Sequence, residues 1–304
     1  MADSDARPAA YVGRFAPTPS GPLHLGSIIA ALAGWLDARR SGGRWLLRID
    51  DLDPPRIRPG AVDNIFYTLE SLGLHWDDEI AYQSRRGEAY RAALASLQAG
   101  GLIYPCYCPR RLIRGRPYPG TCRVRRAAPR PARRPALRVL AGADRIEFED
   151  AVQGGFSQLL AEETGDFIVR RADGLIAYHL ANVVDDAWLG VTRVVRGADL
   201  LPATPPQIRL QQLLGLPVPA YCHVPVALTA DGIKISKSAD AGDVLQHAGT
   251  AAILVHALRF LGQSPPPALE RANAGEVLDW AVAHWECATV PAVRGRDYRE
   301  AFSS

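Results

Sequence analysis

A histidine–glycine turn near the start of the chain and a lysine pair in its last third carry residue types suited to phosphate chemistry. His24 and Gly26 stand in an HLGS sequence just before an apolar helical pattern, where free backbone N–H groups and the helix dipole favour an anion. Lys234 and Lys237, in KISKS, are the only lysines among 35 basic residues, which indicates that these positions need a compact ammonium group. The alternatives are a histidine that only caps the helix and chance placement of two lysines.

Three closely spaced cysteines in the middle of the chain form a candidate metal site. Cys106 and Cys108 are separated by one residue, and Cys122 follows in the same proline-rich segment. Thiolates crowded in this way are typical of a structural zinc site. The alternative is that all three are reduced and buried as small apolar side chains.

These residues have to be held by elements that the apolar pattern predicts. Residues 11–16 and 44–50 are predicted strands, and the helical spacing between them predicts one right-handed parallel βαβ unit. Helices are also predicted around residues 65–72 and 89–97. The remaining predictions are strands at 166–171, 175–180 and 191–196 and helical structure over 250–285.

The charge of the chain is strongly polarised. Residues 109–143 contain 11 arginines and no acidic residue, against a net charge of +3 for the whole chain, so the remainder carries −8. A basic segment on an acidic body is suited to binding the phosphates of a nucleic acid. The alternative is a solvated arginine-rich loop.

The composition bounds the class of protein. With 304 residues, 48% hydrophobic and 22% charged, the chain is expected to form about two folded domains. It has no apolar stretch of the ~18 residues needed to span a bilayer, and its acidic start is unlike a secretory signal. Five cysteines are too few for a disulfide scaffold of this size, so a cytoplasmic location is expected.

Five motifs in matching order resemble the class I aminoacyl-tRNA synthetases, in particular the glutamyl and glutaminyl branch. They are RFAPTPSG at 14–21, HLG at 24–26, VVDD at 183–186, VRGAD at 195–199 and KISKS at 234–238. Anticodon-binding domains follow the last motif in a complete glutamyl-tRNA synthetase, but only 66 residues follow it here. The chain therefore resembles the glutamyl-Q tRNA(Asp) synthetase family, whose members activate glutamate with ATP and esterify it to queuosine in the anticodon of tRNA(Asp).

This resemblance implies an α/β fold in which a Rossmann-type parallel sheet is interrupted by a zinc-containing insertion and followed by a short helical region. The implied divisions are residues 1–104 and 178–228 for the two halves of the catalytic domain, 105–177 for the insertion, and 229–304 for the KISKS loop and a truncated helical region without an anticodon-binding domain. No feature of the sequence demands a dimer, so a monomer is expected.

The resemblance also implies a glutamate site. Arg14 and Arg196 are the expected carboxylate clamps, because a guanidinium pairs with a carboxylate in a bidentate way and discriminates against the amide of glutamine. Tyr178 completes the pocket, and Asp50 is expected to hold the substrate ammonium although the family usually has glutamate at that position. Phe15, Ala16, Pro17 and Thr18 are expected to line the pocket.

In the implied reaction, the glutamate carboxylate attacks the α-phosphate of ATP and releases pyrophosphate. His24 and Lys237 are the expected catalytic groups that neutralise the charge developing on the phosphates, with Gly26 and Lys234 as further ATP-binding residues. A Mg²⁺ ion is expected with the triphosphate. No general base for the transfer step can be named.

The cysteine spacing resembles the zinc site of the same family, in which a tyrosine is the fourth ligand. The implied ligands of one structural Zn²⁺ are Cys106, Cys108, Tyr118 and Cys122.

Three other functions remain open on the sequence. A shortened glutamyl-tRNA synthetase would charge tRNA(Glu) at its 3′ end, and a small-molecule adenylylating ligase would use the same HxG turn. An inactive RNA-binding paralogue would fit the departure at Asp50. Glutamate-dependent pyrophosphate exchange separates this last function from the enzymes.

Overall fold

The computed structural model describes residues 10–109, 113, 117–125, 134–235 and 249–299. Its strands are β1 Val12–Phe15, β2 Arg44–Ile49, β3 Asp77–Tyr82, β4 Ile103–Cys106, β5 Ala136–Val139, β6 Arg145–Asp150, β7 Gly154–Leu159, β8 Phe167–Arg170, β9 Arg193–Gly197, β10 Ala220–Val224, β11 Val226–Leu228 and β12 Gly295–Asp297. Its helices are α1 Leu25–Arg40, α2 Ala61–Ser71, α3 Gly87–Ala99, α4 Thr121–Arg125, α5 Leu160–Glu163, α6 Tyr178–Trp188 and α7 Thr204–Leu214, followed by Thr250–Phe260 and Ala274–His284.

The chain opens with the predicted βαβ unit. Strand β1 pairs in parallel with β2, and β2 pairs in parallel with β3, so the order in this sheet is β1-β2-β3. Helix α1 connects β1 to β2 and buries Ile28, Ile29, Leu32 and Leu36 against them. The predicted strands at 11–16 and 44–50 and the helix between them are therefore confirmed.

A second parallel sheet continues the first. Strands β9 and β10 pair in parallel and β10 pairs in parallel with β6, while β7 closes the far edge as an antiparallel strand. The two sheets meet where the backbone N–H of Thr192 donates to the carbonyl of Val12 at 2.9 Å. The Thr192 hydroxyl accepts the N–H of Val12 at 2.9 Å. The ends of strands that are far apart in sequence thus lie along one edge of the combined sheet.

An antiparallel sheet of order β4-β5-β8 is built from strands that lie between β3 and β9 in the chain. The strand predicted at 166–171 corresponds to β8. The strand predicted at 175–180 is wrong, because helix α6 begins at Tyr178 and buries Leu180, Ala181 and Val183 on one face. The residues just before Tyr178 are extended and form one isolated bridge, between Ile176 and Arg170. The apolar stretch therefore begins as extended chain and continues into the helix, and its pattern alone is typical of a strand.

The apolar core lies on both faces of the parallel strands. One cluster joins α1, β2 and the C-terminal helices through residues such as Trp45, Leu254, Phe260 and Val277. The helical structure predicted over 250–285 is confirmed as two helices, Thr250–Phe260 and Ala274–His284, separated by a 3₁₀ turn. Within the described residues, no helix combines the length and apolar character needed to cross a bilayer.

Candidate active site and candidate metal centre

The carboxyl ends of the parallel strands bring the predicted site residues to one edge of the sheet. Arg14 lies near the end of β1, Asp50 directly follows β2, and Arg196 is the next-to-last residue of β9. In open parallel α/β sheets, ligands bind outside the carboxyl ends of the strands. The predicted glutamate site and the predicted ATP site are therefore neighbours at the location that this fold favours for a ligand.

His24 is the N-cap of helix α1. Its Nδ1 accepts the backbone N–H of Ser27 at 3.1 Å, so the neutral ring carries its proton on Nε2. Burial and the positive charge of Lys234 lower the pKa of His24, which favours this neutral form. His24 therefore caps the helix, and its Nε2–H, 3.1 Å from the Ser27 hydroxyl, lies at the helix N-terminus, where an anion is favoured.

The lysine loop packs against the HLGS turn. An added Cβ at Gly26 would lie 3.2 Å from the His24 ring and 3.6 Å from the Ile235 side chain, so the backbone at Gly26 is closely covered. Lys234 Nζ donates to Asp199 Oδ2 at 2.7 Å, and both side chains are partly exposed. Lys237, the predicted catalytic lysine, lies outside the described residues.

Arg14 belongs to a buried ion network. Its Nε lies 3.1 Å from Asp186 Oδ1, and Arg48 Nη1 lies 2.6 Å from the same oxygen. Burial opposes ionisation of Asp186, but the two guanidinium groups outweigh it and hold its pKa below the usual range. The charge of Arg14 is thus already neutralised inside the protein.

Asp50 is the second carboxylate of this network. Its Oδ1 accepts Arg48 Nε at 2.7 Å and its Oδ2 accepts Arg48 Nη2 at 3.3 Å. Burial raises the pKa of Asp50, and the bonds from Arg48 oppose that rise. An ammonium group that approached Asp50 would therefore share the carboxylate with a resident guanidinium.

Arg196 is buried, with 5% of its surface exposed, and has only neutral neighbours. Its Nε donates to His223 Nε2 at 3.0 Å, its Nη2 donates to Thr204 Oγ1 at 2.8 Å, and its Nη1 lies 3.5 Å from Tyr178 Oη. Within the described part of the chain, no carboxylate lies within ion-pair distance of this guanidinium. A buried cation without a resident counter-ion is a strong site for an incoming carboxylate.

A cavity of about 490 Å³ opens beside these groups, within the ~300–1,000 Å³ typical of small-molecule sites. Of the predicted glutamate residues, Thr18, Asp50 and Tyr178 line it. Arg14, Phe15, Ala16, Pro17 and Arg196 do not form its wall. The cavity extends to the antiparallel sheet, where its wall includes Tyr118, Arg138, Asp166, Phe167, Arg171 and His179.

Residues 15–17 act through the backbone and the core. The Phe15 ring stacks on Trp45 with centroids 6.0 Å apart, and the Pro17 carbonyl accepts the N–H of Asp50 at 3.0 Å. These contacts fix the turn after β1 against the end of β2. Ala16 lies between them, and its methyl side chain has no polar group to contribute to the pocket.

The predicted zinc ligands converge. The Sγ atoms of Cys106, Cys108 and Cys122 all lie within 4.8 Å of one another, and Cys108 and Cys122 are 3.5 Å apart. Tyr118 Oη lies 3.4 Å from Cys106 Sγ and 3.6 Å from Cys108 Sγ. Strand β4 supplies Cys106 and helix α4 supplies Cys122, so the four groups close a loop that has little apolar core of its own.

The spacing of these atoms fits a tetrahedral metal ion. Zinc–sulfur bonds of about 2.3 Å in a tetrahedron place the sulfurs about 3.8 Å apart, close to the separations found here. Arg138 adds a positive charge at the site, since its Nε donates to Cys106 Sγ at 3.3 Å and its guanidinium lies 3.9 Å from the centroid of the Tyr118 ring. Three thiols and a phenol therefore form a candidate metal centre.

Several polar residues of the site were missed by the sequence reasoning. Asp186 lies within the VVDD motif, and Arg48 lies two residues before Asp50. Nothing in the sequence indicates that these two side chains bridge Arg14 and Asp50. His223 gives no signal at all, because it is 27 residues from Arg196 and meets it only through the β9–β10 register, which pairs the two residues. A prediction of strand register would have been needed to find it.

Comparisons with known proteins agree with this architecture. The family described as "tRNA synthetases class I (E and Q), catalytic domain" matches residues 11–134 and 132–278. A glutamyl-Q tRNA(Asp) synthetase of Ectopseudomonas mendocina is 51% identical over 295 residues, covering 96% of this chain and 98% of that protein. The glutamyl-Q tRNA(Asp) synthetase of Methylococcus capsulatus is 50% identical over 291 residues, covering 95% of this chain and 96% of that protein.

A solved structure shares the fold. The crystal structure of a glutamate tRNA ligase from Elizabethkingia meningosepticum, in complex with its amino acid, superposes with a TM-score of 0.78. It is 24% identical and covers 96% of this chain and 68% of that chain, and this likeness supports the fold alone. The predicted α/β synthetase fold is confirmed.

Proposed function

The chain belongs to the glutamyl-Q tRNA(Asp) synthetase family of class I ligases, and from this membership we propose that it activates L-glutamate with ATP and transfers the glutamyl group to queuosine in the anticodon of tRNA(Asp). The acceptor would be a hydroxyl of the cyclopentenediol of queuosine. We propose that the active unit is a monomer.

The buried, uncompensated charge of Arg196 is the observation that carries the choice of glutamate. Its Nη1 lies 3.5 Å from the hydroxyl of Tyr178, which lines the cavity, and its other donors are held by neutral acceptors. A substrate carboxylate would supply the missing counter-ion, whereas the neutral amide of glutamine would not. Arg14 would contribute a donor and not a free charge, because Asp186 already balances it.

The ammonium group of the substrate would be held by Asp50. This carboxylate lines the cavity, but Arg48 also occupies it. Asp50 and Asp186 together balance Arg14 and Arg48, so the bound ammonium would add one positive charge to a neutral network. We propose that Thr18, on the same wall, supports the amino-acid end.

In the activation step, an oxygen of the glutamate α-carboxylate attacks the α-phosphorus of ATP. The bond from that phosphorus to the bridging oxygen breaks, and pyrophosphate leaves. The His24 Nε2–H, the helix N-terminus and Lys234 would stabilise the charge on the phosphates, with Lys237 as a further cation. Gly26 would let the nucleotide approach the backbone, and a Mg²⁺ ion would accompany the triphosphate.

In the transfer step, the queuosine hydroxyl attacks the carbonyl carbon of the mixed anhydride, and AMP leaves. Arg56, Arg138 and Arg171 also line the cavity and make this part of its wall rich in guanidinium groups. We propose that this part receives the modified nucleoside. Arginines of the segment 109–143 other than the buried Arg138 would contact the phosphates around it.

We propose zinc as the ion of the candidate metal centre, with Cys106, Cys108, Tyr118 and Cys122 as its ligands. A four-coordinate zinc ion with four protein ligands is structural and has no open position for catalysis. It would fix the segment between β4 and β5 and, through it, the wall of the cavity that contains Tyr118 and Arg138.

Transfer of radiolabelled glutamate tests this function directly. The purified chain is incubated with ATP, labelled glutamate and tRNA(Asp) that carries queuosine; the matched control is the same tRNA with guanosine at that position. Label that depends on queuosine supports the proposal, since both tRNAs keep the 3′-terminal diol. Equal label on both tRNAs, or label on tRNA(Glu) alone, would refute it.

A further inference from the structure

A buried relay of polar side chains stands behind Arg196. His223 Nδ1 lies 2.5 Å from Asp150 Oδ2, and His223 Nε2 lies 3.0 Å from Arg196 Nε. His223 is fully buried and Asp150 is 4% exposed, and neither lines the cavity. The three residues come from neighbouring parallel strands β6, β10 and β9, close to their carboxyl ends. Tyr178, which lies beside Arg196 Nη1, lines the cavity, so a substrate there would approach Arg196 from the Tyr178 side and would not meet the two residues behind it.

Asp150 fixes which nitrogen of His223 carries the proton. Its Oδ1 accepts the backbone N–H groups of Val152, Gln153 and His223 at 3.1, 2.9 and 3.0 Å. Although burial acts the other way, these bonds and the bond from His223 lower the pKa of Asp150 to about 2. An ionised carboxylate only accepts hydrogen bonds, so His223 Nδ1 is protonated and Nε2 is left with a lone pair.

The lone pair of His223 determines the orientation of the guanidinium. It accepts the N–H of Arg196 Nε, while Thr204 Oγ1 accepts from Nη2 at 2.8 Å. Two fixed bonds on one side of a planar group leave its Nη1 directed to Tyr178 at the cavity. Recognition of a carboxylate by a guanidinium depends on such fixed geometry, because both groups are planar and pair edge to edge.

We propose that Asp150 and His223 are positioning residues that hold Arg196 in the orientation required to bind the carboxylate of glutamate. This inference rests on the proposed function. The relay keeps His223 neutral with an acceptor toward Arg196, so it orients the guanidinium without neutralising its charge. A carboxylate placed directly on Arg196 would orient it equally well but would remove the charge that attracts the substrate.

Asp150→Asn tests the relay at nearly constant volume. The three backbone N–H groups that bond Asp150 Oδ1 still need an acceptor, so the new amide turns its oxygen toward them. Its nitrogen then faces His223 Nδ1 and donates to it. The proton of His223 then moves to Nε2, so that Nε2 no longer accepts the N–H of Arg196 Nε and two donors face each other. We expect the KM for glutamate in pyrophosphate exchange to rise about tenfold or more, with the KM for ATP within about twofold of wild type.

Two substitutions at His223 separate orientation from packing. His223→Gln provides an amide oxygen that accepts from Arg196, and we expect a KM for glutamate within about threefold of wild type. His223→Phe keeps the ring volume but has no acceptor, and we expect the same rise as for Asp150→Asn. The matched control is Asp37→Asn, which changes a buried carboxylate that is bonded to Tyr11 and Trp285 and paired with Arg193, away from the cavity.

The state of His223 gives a readout that does not require activity. In ¹⁵N–¹H spectra of labelled protein, we expect the proton of His223 on Nδ1 in the wild type and on Nε2 in Asp150→Asn. A proton on Nε2 of the wild type would overturn the relay. An equal rise of both KM values in Asp150→Asn, or no rise, would overturn the positioning role. Wild-type protein that activates no glutamate would overturn the proposed function and this inference with it.

Discussion

Replacing Arg196 by glutamine separates substrate recognition from protein stability. The side chain is buried, yet its partners in the protein are His223, Thr204 and Tyr178, and none of them is an acid. Arg196→Gln therefore removes a cation without stranding a buried carboxylate. The Thr204 hydroxyl lies 3.2 Å from His223 Nε2 and can turn to donate to it, so this acceptor stays satisfied.

The expected effects follow from this arrangement. The free energy of unfolding should change by no more than about 1 kcal/mol, because no unpaired buried charge is left. Binding of glutamate loses a desolvated, charge-assisted pair, for which about 3 kcal/mol is typical, or roughly a 150-fold fall in kcat/KM for glutamate. Most of the loss should appear in the KM for glutamate, and the preference for glutamate over glutamine should fall with it.

Pyrophosphate exchange with varied glutamate and varied ATP measures both KM values, and urea denaturation measures stability. Arg145→Gln is the control for loss of an arginine, because Arg145 is exposed at the start of β6 and donates to the neutral hydroxyl of Ser157. We expect it to leave both KM values unchanged. A KM for glutamate unchanged in Arg196→Gln would refute the assignment of Arg196, and a loss of stability of more than about 3 kcal/mol would refute the electrostatic reasoning.

Three further predictions concern the buried network, the metal centre and pH. Asp186→Asn should lower the free energy of unfolding by about 3–5 kcal/mol, in contrast to Arg196→Gln, since it leaves Arg14 and Arg48 buried with one carboxylate fewer; urea denaturation checks this. Purified wild-type protein should contain one zinc ion per chain by elemental analysis, and Cys122→Ser should lose it while Cys222→Ser retains it. Burial and Arg196 lower the pKa of His179 to about 4, so the unfolded chain binds the proton more readily between pH 6.5 and 4. Stability should thus be constant above pH 6.5 and fall by up to about 3 kcal/mol as the pH drops to 4, and His179→Phe should lack this part of the fall. Equal zinc in both cysteine variants, or identical pH profiles for wild type and His179→Phe, would contradict the respective reasoning.

Local patterns were sufficient for much of the fold. The βαβ unit is encoded by a continuous buried run in β2, as expected for a parallel strand covered on both faces, and by helical spacing in α1, and both are set by neighbours along the chain. The run at 175–180 was assigned wrongly because the chain changes from extended to helical at Tyr178 within one short apolar stretch. A period cannot be read from three residues on each side of such a boundary.

The sequence predicts which residues form the site but not which of their side chains pair with each other. Motifs singled out Arg14, Arg196 and Asp50, and the structure brings them to one edge of the sheet. Their electrostatic difference depends on partners brought together by the fold: Asp186 for Arg14, and His223 for Arg196. Strand register and helix packing decide these contacts, and a linear sequence pattern contains neither.

Mass spectrometry of the tRNA tests most directly whether glutamate is attached to the anticodon of tRNA(Asp). The chain is incubated with ATP, glutamate and queuosine-containing tRNA(Asp), which is then cut by a base-specific ribonuclease under conditions that preserve esters. We predict that the anticodon fragment with queuosine gains the mass of one glutamyl group and that the 3′-terminal fragment is unchanged. A glutamyl group on the 3′-terminal fragment, with no glutamyl group on the anticodon fragment, would contradict attachment at the anticodon.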